Sequence, residues 1–457
     1  MESQTKIKFY SGTRKIGGTV VSIEYENERI IIDFGRGFTP AAAILDKKNA
    51  MLDNYVEKYL TLGMLPKIDG FYSEKNIPEK TEILPLEETN MKTKVFISHL
   101  HLDHMEYMGL VDEKVDVYMT EDSLKLYKAL DKVKEGVLGT REYKAIAYDE
   151  KLEFNNVKVT ALRVDHDVRG ACSYIVETPD LKILYSGDLR LKGLHPEWTL
   201  NMAERAREEG INVLIFESTT IGSVIKKEAL ERYSKETNGE KNLAERIIEA
   251  IEQHEGIAIF NTYHRNVDRI AEFHKAAIKT NRKLVLELST AYLAYELLGI
   301  KDFYIIEEKD LVALEYHEAV IDFYNNFNKL SISEINKKPG EYILENSFDN
   351  IISLLYITTE NGIYIHSNGA PLGDYDPAYN SMMDFLDKLD IEYRYIGVSG
   401  HANPYELITV AEKIEADIFM PIHGFNPECF HIGKGVRFLP EEGKTYTFTE
   451  NNIRVLP

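Results

Sequence analysis

The stretch of sequence that decides the fold is Ile97-Ser98-His99-Leu100-His101-Leu102-Asp103-His104. A short apolar strand, predicted at residues 94–98, delivers this segment to the edge of a sheet. In extended backbone the side chains alternate, so His99 and His101 point to the same side. Asp103 and His104 follow where the chain turns into a helix, so they can face a second ion beside the first. Imidazole and carboxylate groups are ligands for zinc and manganese. The pattern therefore predicts a metal site, and its alternative is a set of solvent-exposed loop histidines.

Two later segments fit the same site. His166 lies in Val164-Asp165-His166-Asp167, at the end of a strand predicted at residues 157–163. Asp188 follows Ser186-Gly187, just after a strand predicted at 182–185. Alone, the first would be interpreted as a structural histidine and the second as a turn. Because both follow the histidine-rich segment in this order, we predict them as further metal ligands.

Size and charge limit the classes of function. The 457 residues predict two domains, because a single core rarely grows that large. The formal net charge of −21 counts against a protein that coats nucleic acid through a broad basic surface. A narrow, locally positive channel stays compatible with this charge, since bound metal ions would themselves supply positive charge where a phosphate lies.

The order of these motifs resembles that of the metallo-β-lactamase superfamily. Asp33 follows the first predicted hairpin, the His99–His104 segment comes next, and His166 and Asp188 follow in turn. The resemblance implies an αββα sandwich with a two-metal site at one edge. It further implies that Asp33 lies outside the ligand set and fixes the loop that carries the ligands.

By the same resemblance, each ion takes its own set of ligands. One ion would be held by His99, His101 and His166. The other would be held by Asp103, His104 and a later histidine, with Asp188 bridging both ions.

Three later motifs narrow the resemblance to the β-CASP branch, which includes ribonuclease J and the endonuclease of pre-mRNA cleavage and polyadenylation. They are Glu217 after an apolar strand, Ser399-Gly400-His401-Ala402, and Pro421-Ile422-His423-Gly424. Between Glu217 and His401 the helix and strand patterns alternate, which is typical of a parallel α/β domain. The expected fold is therefore α/β (an α+β sandwich), with an inserted β-CASP α/β domain. The expected limits are 1–222 and 391–457 for the two parts of the sandwich and 223–390 for the insert.

Carried over to this chain, the branch implies roles for each motif. His423 would complete the second metal site. The predicted catalytic residues are Asp103, His401 and Glu217, with His401 as general acid and Glu217 as the carboxylate that orients it. A two-metal-activated hydroxide would attack phosphorus. The alternative for His401 is a buried histidine capping the helix that begins near Asn403-Pro404.

The expected activity is that of a ribonuclease that cleaves RNA phosphodiester bonds, because His423 resembles the RNA-processing members at that position. The alternatives are a binuclear-metal phosphoesterase acting on a non-RNA substrate and a non-catalytic partner of another nuclease. His264 and Arg265, at a predicted helix start, are candidates for phosphate binding, although an ordinary helix start explains them equally. Ser367 and Asn368, after a predicted strand, are candidates for bordering the cleft.

The remaining expectations concern the ions, the partners and the location. Two divalent ions per chain are expected, with zinc as the expected metal and manganese as the alternative. RNA is the expected substrate, and the family resemblance implies a homodimer. No segment approaches the roughly 18 apolar residues of a membrane span, and the two cysteines, Cys172 and Cys429, indicate no disulfide framework. A cytoplasmic location follows as an expectation. Residues 36–90 are expected to form a mostly helical insertion, either a lid over the cleft or a surface elaboration. Only about 34 residues follow His423, so the C-terminal domain of ribonuclease J is expected to be absent.

Overall fold

The computed structural model describes residues 4–37, 54–308, 316–373, 376–449 and 452–456. In these ranges the strands are β1 (Lys6–Ser11), β2 (Val20–Tyr25), β3 (Glu28–Ile32), β4 (Lys92–Phe96), β5 (Asp116–Thr120), β6 (Lys144–Ile146), β7 (Lys151–Phe154), β8 (Val157–Arg163), β9 (Cys172–Glu177), β10 (Lys182–Tyr185), β11 (Val213–Glu217), β12 (Ala258–Thr262), β13 (Lys283–Leu286), β14 (Tyr304–Ile306), β15 (Lys329–Leu330), β16 (Tyr342–Glu345), β17 (Ile363–Ser367), β18 (Glu392–Tyr395), β19 (Ile418–Ile422), β20 (Val436–Arg437), β21 (Thr445–Thr449) and β22 (Asn452–Leu456). The α-helices are α1 (Tyr55–Thr61), α2 (Leu102–Met105), α3 (Glu121–Lys132), α4 (Pro196–Glu209), α5 (Lys227–Lys235), α6 (Leu243–Glu252), α7 (Val267–Thr280), α8 (Leu288–Leu298), α9 (Glu318–Asn326), α10 (Ile332–Ile335), α11 (Pro377–Lys388) and α12 (Pro404–Ile414).

Two sheets face each other and form the sandwich. The first has the strand order β22-β21-β1-β2-β3-β4-β5-β6 and the second the order β20-β19-β11-β10-β9-β8-β7. Apolar side chains alternate inward from both sheets and form one buried cluster, in which Ile23 and Ile30 of the first sheet share the interior with Val176 and Ile215 of the second. Burial of this shared apolar surface is the main force that holds the sheets together.

Helices cover the outer faces of the sandwich. α4 and α12 pack on the second sheet, where Met202 and Leu407 belong to one buried cluster with Leu214. α3 packs against β5 and β6 of the first sheet. The layers therefore follow the order helix, sheet, sheet, helix, which confirms the expected αββα arrangement.

A third sheet has the strand order β15-β14-β13-β16-β12-β17-β18, and all its strand pairs are parallel. Parallel strands need crossover connections, and helices α7 to α11 lie between its strands in the chain. The expected limits of the insert need correction at both ends. β18 pairs with β17 beyond residue 390, and α5 packs on α12 of the sandwich. Assignment of this sheet to a separate β-CASP domain stays a prediction.

The insertion after the first hairpin is less helical than expected. Its described part, residues 54–90, holds one α-helix and two three-residue 3-10 turns. Pro66, Pro78 and Pro85 interrupt the segment, and proline removes a helical hydrogen bond. The segment packs on the sandwich, because Phe71 contacts Phe34 at 5.4 Å between ring centroids. The described part is therefore a packed elaboration; residues 38–53 lie outside the described residues.

None of the helices in the described ranges is long and apolar enough to cross a membrane.

Candidate metal centre

The predicted ligands follow strands that end at one edge of the sandwich. β4 ends at Phe96 and leads to His99, and β8 ends at Arg163 and leads to His166. β10, β11 and β19 run parallel to one another, so their carboxyl ends lie together and carry Asp188, Glu217 and His423. The strand predicted at 94–98 is two residues shorter at its end, because the chain leaves the sheet at Ile97.

The first group contains His99, His101, His166 and Asp188, whose ligand atoms all lie within 4.8 Å of one another. His101 Nδ1 lies 3.2 Å from His166 Nε2, and His99 Nε2 lies 3.6 Å from Asp188 Oδ2. Three of these side chains are buried and His101 is half-buried. Such a group of imidazoles and one carboxylate can hold a metal ion.

The second group contains Asp103, His104 and His423, all buried and with ligand atoms within the same 4.8 Å limit. His104 Nε2 lies 3.1 Å from His423 Nε2, and Asp103 Oδ2 lies 3.2 Å from the same nitrogen. Asp188 lies between the two groups, since its Oδ2 is 3.2 Å from His104 Nε2 and 3.6 Å from His99 Nε2. The arrangement can therefore accommodate two ions side by side.

Asp33 accepts four hydrogen bonds beneath these groups and is fully buried. Its carboxylate accepts from Ser98 N at 2.7 Å, Ser98 Oγ at 2.9 Å, His104 Nδ1 at 2.8 Å and Tyr185 Oη at 2.6 Å. Its backbone has a φ of 61°, a left-handed conformation that aspartate tolerates better than most residues. The carboxylate thereby joins β3, the His99–His104 segment and β10 at one point.

The histidines are oriented by hydrogen bonds at Nδ1. His166 Nδ1 donates to the Gly400 carbonyl at 2.6 Å, and His104 Nδ1 donates to Asp33. His99 Nδ1 lies 3.0 Å from Ser98 Oγ, which itself donates to Asp33. Fixing the proton on Nδ1 leaves the Nε2 lone pair free as a ligand. The Nε2 atom of His99 is buried without a hydrogen-bond partner, which fits a residue that binds a metal ion.

Electrostatics keep the carboxylates of the site ionised. Burial raises the pKa of Asp188, but attraction from His423, His104 and His401 outweighs it and holds the pKa well below its usual range. Asp103 behaves in the same way through His104 and His423. Burial lowers the pKa of His166 to about 3, so this imidazole is neutral at pH 7. Burial lowers the pKa of His104, but attraction from Asp188, Asp103 and Asp33 outweighs it and raises this pKa. This imidazole must therefore lose a proton before its Nε2 can bind a metal ion.

His401 and Glu217 form a pair beside the two groups. His401 Nδ1 lies 3.1 Å from Glu217 Oε2 and 3.8 Å from Asp188 Oδ2, and 23% of the His401 side chain is exposed. Burial opposes protonation of this imidazole, but attraction from Glu217 and Asp188 raises its pKa to about 10. The helix cap that an alternative assigned to His401 is made instead by Asn403, whose side chain accepts from Glu406 N at 3.0 Å.

The predicted substrate residues have partners inside the protein. Arg265 is 3% exposed and donates to Glu135 Oε2 at 3.1 Å and to the Leu100 carbonyl at 3.0 Å. His264 forms an ion pair with Glu135 as well. Asn368 Oδ1 accepts from Arg269 and from Val398 N. The side-chain oxygen of Ser367 is buried without a hydrogen-bond partner. A contact with substrate stays a prediction for all four.

Several residues at the site carried no assignment in the sequence. Asp167 Oδ1 lies 3.2 Å from His101 Nε2 and 3.4 Å from His166 Nε2. Thr219 Oγ lies 2.9 Å from His423 Nδ1, and the ring of Tyr263 lies 5.6 Å from that of His101. Asp167 directly follows His166, so its acidic side chain beside a predicted ligand was an available signal. Thr219 and Tyr263 had none, because only the fold brings them to the histidines.

A family model described as the beta-lactamase superfamily domain matches residues 77–278. Among curated relatives, ribonuclease J 1 of Streptococcus pyogenes is 21% identical over 468 residues, which cover 97% of this chain and 74% of that protein. Ribonuclease J of Mycoplasma pneumoniae is 25% identical, covering 93% of this chain and 68% of the relative. The cleavage and polyadenylation specificity factor subunit 3 of Dictyostelium discoideum is 26% identical over 51% of this chain and 28% of that protein.

A crystal structure of a protein of unknown function from Enterococcus faecalis superimposes with a TM-score of 0.78 at 28% identity, covering 97% of this chain and all of that one. The fold, the two ligand groups and these similarities confirm the resemblance of the chain to the metallo-β-lactamase superfamily. Within that superfamily, the chain is similar to ribonuclease J proteins and to a cleavage and polyadenylation specificity factor subunit, as the motifs of the sequence predicted.

Proposed function

We propose that this protein is a metal-dependent ribonuclease that hydrolyses RNA phosphodiester bonds at the edge of the sandwich. The observation that carries the proposal is the meeting of five imidazoles and two carboxylates there, in two ligand groups with an adjacent histidine–glutamate pair. Isolated buried histidines are common, but two adjoining groups of this composition match a two-ion centre.

The proposed ligands of the first ion are His99, His101 and His166. Those of the second ion would be Asp103, His104 and His423, and the carboxylate of Asp188, which lies between the two groups, would be available to both ions. The buried Nε2 atom of His99, which has no hydrogen-bond partner, supports this assignment. Two bound divalent ions would supply Lewis acidity that activates water and offsets charge on the phosphoryl oxygens.

His401 is the proposed general acid. Its ring lies 5.3 Å from that of His166, so it borders the first ligand group, and part of its side chain is open to solvent. Glu217 Oε2 fixes Nδ1, while Glu217 Oε1 accepts from Leu189 N at 2.7 Å and is thereby held in place. The Nε2–H of His401 is then available to donate a proton to the departing oxygen. Asp103, which approaches both His104 and His423, completes the proposed catalytic set.

The names of the relatives support RNA as the substrate, since ribonuclease J proteins match over nearly the whole of this chain. A binuclear phosphoesterase acting on another substrate is the second candidate, and the net charge of −21 favours it over a protein with a broad nucleic-acid surface. A non-catalytic nuclease partner is disfavoured because every ligand position keeps a suitable side chain.

The finer assignments rest on the same resemblance. Zinc is the proposed metal, because the donor sets are rich in imidazole, and manganese is the alternative. On the same basis we propose that the protein forms a homodimer, that it is cytoplasmic, and that the third sheet belongs to a separate inserted β-CASP domain.

The test is cleavage of a 5′-monophosphorylated single-stranded RNA by the metal-loaded protein, with matched DNA as the control substrate. We expect RNA-selective cleavage that is lost in Asp103→Asn and in His401→Ala, with bound metal retained in His401→Ala. Two bound ions per chain without RNA cleavage would contradict the ribonuclease proposal, and small phosphodiesters would then be the substrates to test.

A further inference from the structure

A buried network of alternating charges connects the sandwich to the third sheet. Arg190 lies two residues after Asp188, and Arg269 lies on α7. Between them is Glu240, at the 3-10 turn Glu240–Asn242 that precedes α6. The three side chains are 3%, 1% and 2% exposed, respectively. Such a network is costly to desolvate, so its presence calls for a reason beyond stability.

Glu240 holds the two arginines with one oxygen. Its Oε1 accepts from Arg190 Nη1 at 3.0 Å and forms a short ion pair with Arg269 Nη2. Arg190 Nε also donates to Asp165 Oδ1 at 2.8 Å. With Asp165 included, the group contains two positive and two negative charges, so it is neutral as a whole and its members cannot be removed singly without leaving an unpaired charge.

Both arginines donate to the backbone of one loop, residues 396–402, which carries the chain from β18 to α12. Arg269 Nη2 donates to the Val398 carbonyl at 2.9 Å, and Arg190 Nη1 donates to the Ser399 carbonyl at 3.4 Å. Asn368 Oδ1 accepts from Val398 N at 2.9 Å while it accepts from Arg269 Nη1 at 2.5 Å.

The same loop presents His401 to Glu217. The Gly400 carbonyl accepts from His166 Nδ1, and Ala402 N donates to the Leu189 carbonyl at 2.7 Å. A side chain at Gly400 would have no room, because a Cβ there would lie 2.7 Å from the Asp167 carboxylate. The loop is therefore held from the sandwich at one end and from the third sheet at the other.

We infer that Glu240, Arg190 and Arg269 are positioning residues for His401, which fix the loop 396–402 across the junction of the two sheets. The inference rests on the proposed function in one respect, the role of His401 as general acid. None of the three touches the ligand groups directly. Their expected influence is on protonation of the leaving oxygen, since a small displacement of a catalytic group can lower the rate on the order of 100-fold.

The experiment compares two substrates in Arg269→Gln, Glu240→Gln and the double variant Glu240→Gln/Arg269→Gln. The double variant removes one charge of each sign and keeps the buried group neutral, so it protects the test against simple unfolding. RNA has an alkoxide leaving group that needs a proton. Bis(p-nitrophenyl) phosphate has a leaving group that departs as a stable anion and does not.

We expect kcat on RNA to fall roughly 10- to 100-fold in each variant with KM changed little, and hydrolysis of bis(p-nitrophenyl) phosphate to fall less than about 3-fold. His401→Ala should show the same selectivity more strongly. Amide hydrogen exchange in residues 396–403 should be faster in the variants than in the wild type.

The matched control is Arg282→Gln. Arg282 also donates to backbone carbonyls, those of Gly256 at 2.7 Å and His254 at 2.6 Å, but at the opposite end of the third sheet. This variant should leave the ratio of the two activities and the exchange of 396–403 unchanged.

Equal losses on both substrates in Arg269→Gln, or unchanged exchange in 396–403, would overturn the inference. A wild-type protein that binds two ions and cuts no RNA would instead overturn the proposed function. In that case amide hydrogen exchange alone would still show whether Glu240 and Arg269 hold the loop 396–402 in place.

Discussion

Two buried edges of this molecule gather carboxylates, and they differ in what surrounds them. At the edge of the sandwich, Asp103, Asp167 and Asp188 lie among histidines, and attraction from the imidazoles outweighs burial and lowers the pKa of each. At the edge of the third sheet, Glu345 ends β16 and Glu287 follows β13. Burial raises the pKa of both, and repulsion between the two adds to the shift of Glu345.

Hydrogen bonds at the second edge point to a structural role. Glu345 accepts from Glu287 N at 2.9 Å and Thr290 Oγ at 2.6 Å, and Glu287 accepts from Ser347 N at 2.7 Å and Ser347 Oγ at 2.8 Å. Among the described residues, no third metal-ligating group joins this pair. Burial of carboxylates therefore does not by itself identify a catalytic site, and the imidazoles beside them make the difference.

The largest expected effect is that of Asp188→Asn. Asp188 lies between the two ligand groups, so loss of its charge should lower the content of both ions. Activity on RNA should fall on the order of 1000-fold, because the ions supply several kcal/mol of stabilisation. Metal analysis and RNA cleavage measure the two effects. Glu287→Gln changes a carboxylate at the edge of the third sheet and should keep both ions. Equal metal loss in the two variants would show that the two edges do not differ in metal binding.

The next largest effect is that of His401→Ala. Activity on RNA should fall about 100- to 10,000-fold, the usual contribution of a general acid, while the metal content stays at two ions per chain. Steady-state cleavage and metal analysis of the same preparation measure this. The control is His195→Ala, since His195 belongs to neither ligand group. Its ring stacks on that of Trp198, with 3.8 Å between the ring centroids. Unchanged activity in His401→Ala would remove its proposed role.

Asp33→Asn tests the support beneath the ligands. An amide offers one acceptor oxygen in place of two, so at least one of the bonds to Ser98, His104 or Tyr185 is lost. Metal affinity should fall about 10- to 100-fold, measured by competition with a chelator. Asp149→Asn is the matched control. The backbone of Asp149 also has a left-handed conformation, with a φ of 62°, but its side chain is exposed. The same loss in Asp149→Asn would argue against a specific role of Asp33.

The smallest effect is on stability, in Glu287→Gln. The raised pKa values mean that the folded state binds more protons than the unfolded state, so the contribution to stability is greatest below the unfolded pKa of about 4.3 and is lost as the pH rises through the folded pKa. Removing one charge should make stability less dependent on pH. At pH 8 the Tm of the variant should exceed that of the wild type by about 2–4 °C for each kcal/mol gained in the free energy of unfolding.

Thermal unfolding between pH 5 and pH 8 measures this dependence. Glu341→Gln is the control, since its side chain is 43% exposed and pairs with Lys338. A wild-type Tm that rises from pH 5 to pH 8, with a smaller rise in Glu287→Gln, would contradict the raised pKa values of Glu287 and Glu345.

Much of the fold was predictable from local patterns. The strands β8 and β10 lie at the predicted residues, and the alternation of helices and strands after Glu217 predicted a parallel sheet. The helical interpretation of residues 36–90 was wrong for the described part, where the prolines limit the helix to α1. The end of the third sheet was misplaced because β18 is defined by pairing with β17, which a local pattern does not reveal.

The sequence by itself determined the ligand types and their order, because the His99–His104 segment is local and its chemistry follows from residue type and spacing. Only the tertiary structure decided how distant groups meet. Glu217 and His401 are 184 residues apart in the chain yet 3.1 Å apart in space. The network of Arg190, Glu240 and Arg269 likewise arises from three segments with no shared pattern. Hydrogen bonds and ion pairs of this kind depend on distances of a few ångströms, which packing of the sheets sets and residue spacing does not.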